Sequence, residues 1–329
     1  MSAGILGVGY YVPDTIVTNF DLEKKLNTSD EWIRTRTGIG ERRIAADTQA
    51  TSDLALNAAR AALHSARVSA DEIDLIIIAT CTPDFAMPAT AALVQAALPA
   101  KKAAAFDLNA ACSGFSYALD VATHMVNSGA YRFALVIGAD VMSRTLDWTD
   151  RSTAILFGDG AGAIIVGQVE NGGVLGSVLG ANGDGAMLLC TPSSFTRPSS
   201  SKDPGFAGGN KMYMNGKEVY KFAVHVMGDA ALQALERVGL TSEDVDLFIP
   251  HQANIRIIES AAKRLDLPMS KVFVNLDRYG NTSAASIPIA LAEAVEQGRV
   301  KSGSVIVTVG FGAGLTWGAN VIRWTADLP

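Results

Sequence analysis

The segment Phe106-Asp-Leu-Asn-Ala-Ala-Cys112-Ser-Gly-Phe-Ser-Tyr-Ala-Leu119 joins a short extended run to the start of a helix, with one cysteine at the junction. Beyond the junction, apolar residues recur at helical spacing: Phe115, Ala118, Leu119, Ala122, Met125 and Val126. Gly129 follows the last of them, as a helix-terminating glycine does. The pattern predicts that Cys112 lies at the N-terminus of a buried helix.

That position gives Cys112 a possible chemical role. The unpaired N–H groups and the positive end of a helix dipole favour an anion, so a thiol there is expected to lose its proton more easily. The thiolate is the nucleophilic form of cysteine. The alternative is that Cys112 is a small buried core residue, as most unpaired cysteines are.

The composition narrows the class of protein. The 329 residues allow one large domain or two ordinary ones. Apolar residues make up 49% and charged residues 18%, which supports a large core and argues against disorder. The net charge of −6 argues against a general nucleic-acid binder.

The cysteine spacing and the lengths of the apolar runs predict a cytoplasmic location. Cys81, Cys112 and Cys190 are widely spaced and odd in number, which indicates neither a disulfide framework nor a zinc site. The N-terminus lacks the basic and apolar regions of a signal peptide. No apolar run approaches the roughly 18 residues that a membrane helix needs. We therefore expect a soluble, cytoplasmic protein that does not bind membranes.

Strand and helix patterns alternate along the first half of the chain. We predict strands at 4–12, 74–79, 133–137 and 163–166, a helix at 52–66, and a loop containing Arg151. The continuous apolar run at 74–79 is typical of a strand covered on both faces. The Gly-, Ser- and Pro-rich segment 191–209 is predicted to be a surface loop over the site.

The second half repeats the first at one constant offset in residue number. A helix near 224–238, Thr241-Ser-Glu-Asp244 and a strand starting at Asp246 follow the same order as the helix, Ser69-Ala-Asp-Glu72 and the strand starting at Asp74. The offset between these two strands also relates Ala118-Leu119 to Ala290-Leu291 and Gly138 to Gly310. This repeat predicts two fused copies of one unit, residues 1–170 and 171–329, in a layered α/β fold with mostly parallel sheets.

Three motifs fall where such folds place ligands, at strand ends and helix starts. His251 follows a buried strand, and Asn281 opens the helix that duplicates the Cys112 helix. The turn Gly310-Phe-Gly-Ala-Gly314 has backbone amides that can form an oxyanion hole. Taken alone, His251 could as well be a structural histidine at the end of a strand. Taken alone, Asn281 is better explained as the N-cap of a helix.

Together these motifs resemble those of β-ketoacyl-acyl carrier protein synthase III, a family of thiolase-fold condensing enzymes. The resemblance rests on Ala110-Ala-Cys-Ser-Gly-Phe115, Pro250-His-Gln-Ala-Asn254 and Gly280-Asn-Thr-Ser-Ala-Ala285, and it covers essentially the whole chain to Leu315-Thr-Trp-Gly-Ala319. It implies a thiolase-like, duplicated five-layer α-β-α-β-α fold and a homodimer.

The resemblance also implies an activity, the initiation of type II fatty acid synthesis. An acyl-CoA would load Cys112, and malonyl-acyl carrier protein would then lose CO2 and condense with the acyl group to give 3-ketoacyl-acyl carrier protein. His251 and Asn281 would donate hydrogen bonds to the enolate, and the amides of Cys112 and of a residue near Ala313 would form the oxyanion hole. No metal or redox cofactor is expected.

Further site residues are implied by the same resemblance. CoA would be bound by Trp32, Arg36, Thr37, Arg151, Gly216 and Asn254, with the adenine between Trp32 and Arg151. Phe311 would lie beside the nucleophile, and Met87 would close the acyl pocket of the partner subunit. Acidic carrier protein would dock on Lys221, Arg256, Lys263 and Arg264. The alternatives are a half-buried surface tryptophan at Trp32 and an ordinary solvated helix face for the basic residues.

Several related enzymes remain as alternatives. The glycine-rich turn lacks the second cysteine of a degradative thiolase, and position 281 lacks the second histidine of an elongating synthase. Three alternatives are not excluded: a starter enzyme of a polyketide or quinolone pathway, a chalcone-type synthase, and a non-catalytic carrier-binding partner with this fold. The sequence does not fix the acyl primer.

Overall fold

The computed structural model describes residues 1–192 and 211–326, so the predicted surface loop at 191–209 lies almost entirely outside the described residues. The first part contains β1 (Ser2–Tyr11), β2 (Thr15–Thr18), α1 (Asn19–Glu23), α2 (Asp30–Thr37), β3 (Glu41–Ile44), α3 (Thr51–Ala66), β4 (Leu75–Ala79), α4 (Thr90–Ala97), β5 (Ala104–Leu108), α5 (Gly114–Asn127), β6 (Ala134–Val141), α6 (Arg151–Ala154) and β7 (Asp159–Val169). The second contains β8 (Gly173–Ala181), β9 (Leu189–Cys190), β10 (Tyr213–Met214), α7 (Gly216–Arg237), β11 (Leu247–Pro250), α8 (Ile255–Arg264), α9 (Leu276–Tyr279), α10 (Ser286–Glu296), β12 (Val305–Gly312) and β13 (Thr316–Arg323).

Two large sheets share one strand order. The first runs β1-β7-β6-β4-β5, and the second, read from its other edge, runs β8-β13-β12-β11. In the second sheet, Phe248 of β11 forms a single parallel bridge with Val272. This bridge takes the place that β5 has beside β4 in the first sheet. The matched order supports our proposal that residues 1–170 and 171–329 are copies of one unit.

The prediction of mostly parallel sheets is wrong. Only the β4–β5, β4–β6 and β11–β12 pairs are parallel, and the other four neighbouring pairs of the two large sheets are antiparallel. Parallel neighbours need a long crossover connection, usually a helix. Between β12 and β13 there is only a three-residue turn, and between β6 and β7 the only α-helix is the four-residue α6, so these strands return antiparallel.

The sheets are separated and covered by helices. Helices α5 and α10 lie between the two sheets, α3 and α4 cover the first sheet, and α7 and α8 cover the second. Side chains of β4 alternate accordingly, because Leu75 and Ile77 pack on the central helices while Ile76 and Ile78 pack with α3. The predicted five-layer α-β-α-β-α fold is confirmed.

The position of Arg151 and the start of α7 differ from the sequence predictions. Arg151 is not in a loop but begins α6, where the Asp150 side chain caps the helix by accepting from the Ser152 amide. Helix α7 begins at Gly216, eight residues before the predicted start, because Asn215 caps it there by accepting from the Glu218 amide.

Equivalent 3₁₀ turns open the two central helices. Residues Ala111–Ser113 precede α5 and Ser283–Ala285 precede α10, and both the turns and the helix starts keep the offset seen in the sequence. The first residue of each turn has a left-handed backbone, with φ of 47° at Ala111 and 53° at Ser283. The repeat therefore extends to the dihedral angles at the helix entrances.

Candidate active site

Cys112, His251 and Asn281 come from three separate elements and line one cavity of about 100 Å³. All three side chains are buried. Phe311, Gly216 and Asn254, which were also predicted as site residues, line the same cavity. The structure thus brings together the three residues predicted to carry the chemistry.

Cys112 lies in the 3₁₀ turn, two residues before α5 begins. Burial is the main cause that raises the pKa of its thiol to about 12; a hydrogen bond with Ser283 opposes the shift, and the nearby Asp140 carboxylate adds to it. The expectation of a lowered pKa is therefore wrong for the resting protein, because desolvation outweighs the helix terminus. The thiol rests protonated.

His251 directly follows β11 and is fixed on two sides. Its amide donates to Val309 O at 2.8 Å, and its Nδ1 lies 2.6 Å from the Ser286 hydroxyl. The Phe311 ring meets the imidazole edge to face, with 5.5 Å between ring centroids. Burial lowers the pKa of His251 to about 3, so the ring is neutral, and an Nδ1 that accepts from Ser286 leaves Nε2 as the N–H donor.

The buried neutral histidine predicts acid sensitivity of folding. In the unfolded chain His251 is protonated below about pH 6.5, whereas in the folded chain it is protonated only below about pH 3. Stability should therefore fall as the pH drops from 6.5 towards 3, by about 2 kcal/mol at pH 5. Urea unfolding at pH 7 and 5 should show this loss in the wild type and less of it in His251→Gln. His124→Gln, on the surface, is the control, and an equal loss in wild type and His251→Gln would contradict the prediction.

Asn281 is fixed by its backbone and by its side-chain oxygen. Its amide donates to Leu156 O at 2.8 Å and its carbonyl accepts from Gly158 N at 3.0 Å. Its Oδ1 accepts from the Ser283 amide at 2.8 Å, which leaves the side-chain NH2 to donate elsewhere. Asn109, its counterpart in the first half, makes the matching bond to the Ala111 amide at 3.0 Å.

A second cavity of about 400 Å³ also reaches Cys112. All three cysteines line it, together with Met142, Met212, Phe157, Leu189, Ser283, Ala313 and Gly314. This largely apolar lining suits an acyl chain.

Three residues of the site were not predicted from the sequence: Cys81, Ser283 and Ser286. The two serines follow Asn281 closely in the chain, but only the fold turns them towards Cys112 and His251.

Met87 does not line either of these cavities. Its side chain is 84% exposed, between β4 and α4. Phe85 in the same segment is 57% exposed. An exposed apolar residue fits a role in a partner subunit, which stays a prediction.

The ring of Trp32 on α2 contacts two guanidinium groups. Arg36 Cζ is 4.5 Å and Arg151 Cζ 4.8 Å from the ring centroid. Arg151 Nη1 also donates to Asn27 O at 2.7 Å. At this separation an adenine ring fits between Trp32 and Arg151 only after Arg151 moves away.

The other predicted CoA residues connect α2 to α8. The Asn254 side chain caps α8 by accepting from the Arg256 amide and donates to Arg36 O at 3.0 Å. Thr37 is buried, and its hydroxyl donates to Ile33 O and accepts from the Ile39 amide. The bond from Asn254 to Arg36 O joins α8 to α2, whereas the Thr37 bonds stay within α2 and the residues that follow it.

Three of the four predicted docking cations have partners. Lys221 Nζ lies 2.8 Å from Glu218, Arg264 Nε lies 2.8 Å from Asp229, and Arg256 donates to Thr35 O at 2.9 Å. Lys263 is exposed on the same helix as Arg256 and Arg264. The docking surface stays a prediction.

Within the described parts of the chain, no helix combines the length and the apolarity needed to cross a bilayer.

Comparisons with known proteins identify the family. Residues 106–183 match the family model described as 3-oxoacyl-[acyl-carrier-protein (ACP)] synthase III, and residues 235–324 match the model of its C-terminal part. The chain is 55% identical over 326 residues to β-ketoacyl-[acyl-carrier-protein] synthase III of Caldanaerobacter subterraneus, covering 99% of this chain and 98% of the relative. It is 56% identical over 322 residues to the enzyme of that name from Symbiobacterium thermophilum, covering 98% of each.

Solved structures agree with this assignment. The synthase III structure from Thermus thermophilus superposes with a TM-score of 0.93 at 51% identity, covering 98% of this chain and all of that one. The priming β-ketosynthase of the R1128 polyketide pathway superposes equally well, with a TM-score of 0.93, but at 39% identity, covering all of this chain and 97% of that one. The chain therefore belongs to the β-ketoacyl-acyl carrier protein synthase III family, the acyltransferases that carry out the initiating condensation of fatty acid synthesis.

Proposed function

We propose that this enzyme transfers an acyl group from acyl-CoA to Cys112 and then condenses it with malonyl-acyl carrier protein, releasing CO2 and 3-ketoacyl-acyl carrier protein. The observation that carries the proposal is the meeting of Cys112, His251 and Asn281 in one buried cavity. The larger cavity that also reaches Cys112, lined by the three cysteines and by apolar side chains, is the proposed acyl site.

In the first step the Cys112 sulfur attacks the thioester carbonyl of acyl-CoA. Because the thiol rests protonated, its proton must leave as the new C–S bond forms, and the departing CoA sulfur takes up a proton. The amides of Cys112 and of a residue near Ala313 stabilise the tetrahedral oxyanion. The acyl group ends as a thioester on Cys112.

In the second step malonyl-acyl carrier protein loses CO2, and the bonding electrons form an enolate. His251 Nε2–H and the Asn281 NH2 donate to its oxygen, which suits a neutral histidine whose Nδ1 is held by Ser286. The enolate carbon attacks the acyl-Cys112 carbonyl, and the cysteine leaves as a thiolate that takes up a proton. Thioester and carboxylate chemistry supply every bond change, so we propose that no metal or redox cofactor takes part.

The assembly and the location are part of the proposal. Strand β5 pairs only with β4 among the described strands, which leaves one edge of the first sheet available to a second copy of the chain. The exposed Phe85 and Met87 support a homodimer in which Met87 reaches the partner's acyl site. We place the enzyme in the cytoplasm, where CoA thioesters and acyl carrier protein are made.

Intact-protein mass spectrometry with a panel of acyl-CoAs tests the function and names the primer. We expect a mass gain with at least one acyl-CoA, none in Cys112→Ser, and discharge by malonyl-acyl carrier protein. The absence of loading by every acyl-CoA would overturn the proposal. If the acyl group is loaded but only a different acceptor removes it, the enzyme would be a starter enzyme of a polyketide or quinolone pathway. The structural similarity to the R1128 priming ketosynthase is the observation that favours this alternative.

The Trp32 site predicts an effect on CoA binding alone. Trp32→Ala removes the stacking face and should raise KM for acyl-CoA about tenfold with little change in kcat. Trp148→Ala is the matched control, since Trp148 is 37% exposed and donates to Ser143 O outside both cavities. Steady-state kinetics at saturating malonyl-acyl carrier protein measure both. An unchanged KM in Trp32→Ala would remove Trp32 from the CoA site.

The basic helix face predicts an effect on the carrier substrate alone. Lys263→Glu should raise KM for malonyl-acyl carrier protein about three- to tenfold at low salt and leave acyl-CoA loading intact. Lys301→Glu reverses an exposed lysine on a different segment and serves as control. If loading and condensation suffer equally, α8 is not the docking surface.

A further inference from the structure

The two 3₁₀ turns that open α5 and α10 share a backbone hydrogen bond and a side-chain cap. Ser113 N donates to Ala110 O at 3.2 Å, and at the equivalent position in the other half Ala285 N donates to Thr282 O at 3.1 Å. The Asn109 and Asn281 side chains accept from the first amides of their turns. By this correspondence, the Cys112 amide in one half is equivalent to the Ala284 amide in the other.

The Ala284 amide is occupied by an anion from within the chain. It donates to Asp140 Oδ2 at 3.2 Å, and Asp140 is fully buried at the end of β6. The position equivalent to Asp140 in the other half is Gly312, at the end of β12. A Cβ built on Gly312 would lie 2.6 Å from Cys112 N, so the strand passes close to this amide and has no side chain there. Both Cys112 and Gly312 line the smaller cavity.

The other Asp140 oxygen holds a second turn of the site. Oδ1 accepts from the Thr80 hydroxyl at 2.9 Å, the Cys81 amide at 2.8 Å, the Thr82 amide at 3.1 Å and the Thr82 hydroxyl at 2.8 Å. The Cys81 sulfur in turn lies 3.7 Å from the Ser283 hydroxyl. One carboxylate therefore joins the turn that follows β4 to the turn that follows Asn281.

We propose that Asp140 is a positioning residue whose carboxylate fills, in the C-terminal half, the anion-binding amide that the N-terminal half leaves open for the substrate oxyanion. Filling this amide fixes the turn that carries Asn281 and Ser283 against the cavity. It also sets a buried negative charge beside Cys112, in keeping with the raised pKa of that thiol. The inference rests on the proposed function for its effect on condensation.

Asp140→Asn removes the charge with almost no change in shape and tests both consequences. Neutralising the carboxylate should speed iodoacetamide alkylation of Cys112 about tenfold at a fixed pH of 8, measured on the Cys112 peptide. Loosening the Asn281 turn should slow discharge by malonyl-acyl carrier protein at least about tenfold, while loading by acyl-CoA stays within about threefold. The pH profile of alkylation should also shift to lower pH, because a lowered thiol pKa moves the profile whereas a purely structural loosening that only exposes Cys112 does not.

Asp159→Asn is the matched control. Asp159 is a second buried carboxylate on the neighbouring strand β7, but its partners are the Ala45 amide and the amide and hydroxyl of Ser143. It should not change the alkylation of Cys112. If Asp140→Asn does not fold, Thr80→Val removes one donor to the same carboxylate and should still slow discharge more than loading.

The outcomes separate this inference from the proposed function. Wild-type enzyme that fails to load any acyl-CoA would overturn the proposed function, whereas alkylation needs no acyl substrate and reports on Asp140 alone. The inference is overturned if alkylation of Asp140→Asn matches the wild type, or if Thr80→Val and Asp140→Asn slow loading as much as discharge.

Discussion

His251→Ala should give an enzyme that accepts the acyl group on Cys112 and does not pass it on. In the proposed mechanism the neutral imidazole donates to the enolate oxygen, where negative charge develops, so its loss should slow decarboxylative discharge about 10²- to 10³-fold. In the same proposed mechanism, loading uses the Cys112 amide and the glycine-rich turn instead, so the acyl-enzyme should still form. The acyl-enzyme mass should therefore persist after malonyl-acyl carrier protein is added.

Two variants sharpen this test. Asn281→Asp keeps an oxygen for the Ser283 amide but replaces the NH2 donor, and it should block the same step. His124→Ala, on the surface of α5, should discharge at the wild-type rate. Normal discharge by His251→Ala would show that another group stabilises the enolate.

Gly312→Ala should impair the opposite step, the loading of Cys112. The new methyl carbon would lie 2.6 Å from Cys112 N and 3.2 Å from Cys112 Cβ, so β12 and the 3₁₀ turn must separate. Displacing the amide from the oxyanion should slow loading at least about 10²-fold. The rate of acyl-enzyme formation, followed by mass spectrometry, measures the effect.

The same variant should keep a reactive thiol. Iodoacetamide should still alkylate Cys112 in Gly312→Ala, because alkylation forms no oxyanion, and this separates a lost oxyanion site from an unfolded protein. Gly183→Ala is the control, since a Cβ there meets no atom within 4 Å. Loading by Gly312→Ala at the wild-type rate would mean that the Cys112 amide does not stabilise the oxyanion.

The repeat explains how much of the site could be predicted from sequence. Because strand ends and helix starts of two related halves meet, a motif at 112 and motifs at 251 and 281 were predicted to converge, and they line one cavity. The repeat did not predict strand direction, because short connections such as the turn after Gly312 decide it.

The electrostatics of the site could not be predicted from local sequence. The helix start at Cys112 suggested a lowered thiol pKa, but burial and the carboxylate of Asp140, which lies on β6 beyond the whole of α5, raise it. The resemblance paired Arg151 with Trp32 only across an adenine, and their direct contact depends on how α6 lies against α2. Such effects arise from packing between segments that are distant in sequence.

The close passage of each half's strand beside the other half's turn has an evolutionary consequence. A Cβ built on Gly138 of β6 would lie only 2.2 Å from Ala284 O, and one built on its counterpart Gly310 of β12 would lie 3.3 Å from Cys112 O. Each half thus completes the other's helix entrance. A fragment ending after β7 would lack the strand that packs beside Cys112, its proposed nucleophile, so the halves should regain activity only when both fragments associate. Mutations tolerated in one half are therefore limited by the shape of the other, so the two copies that we propose cannot diverge independently.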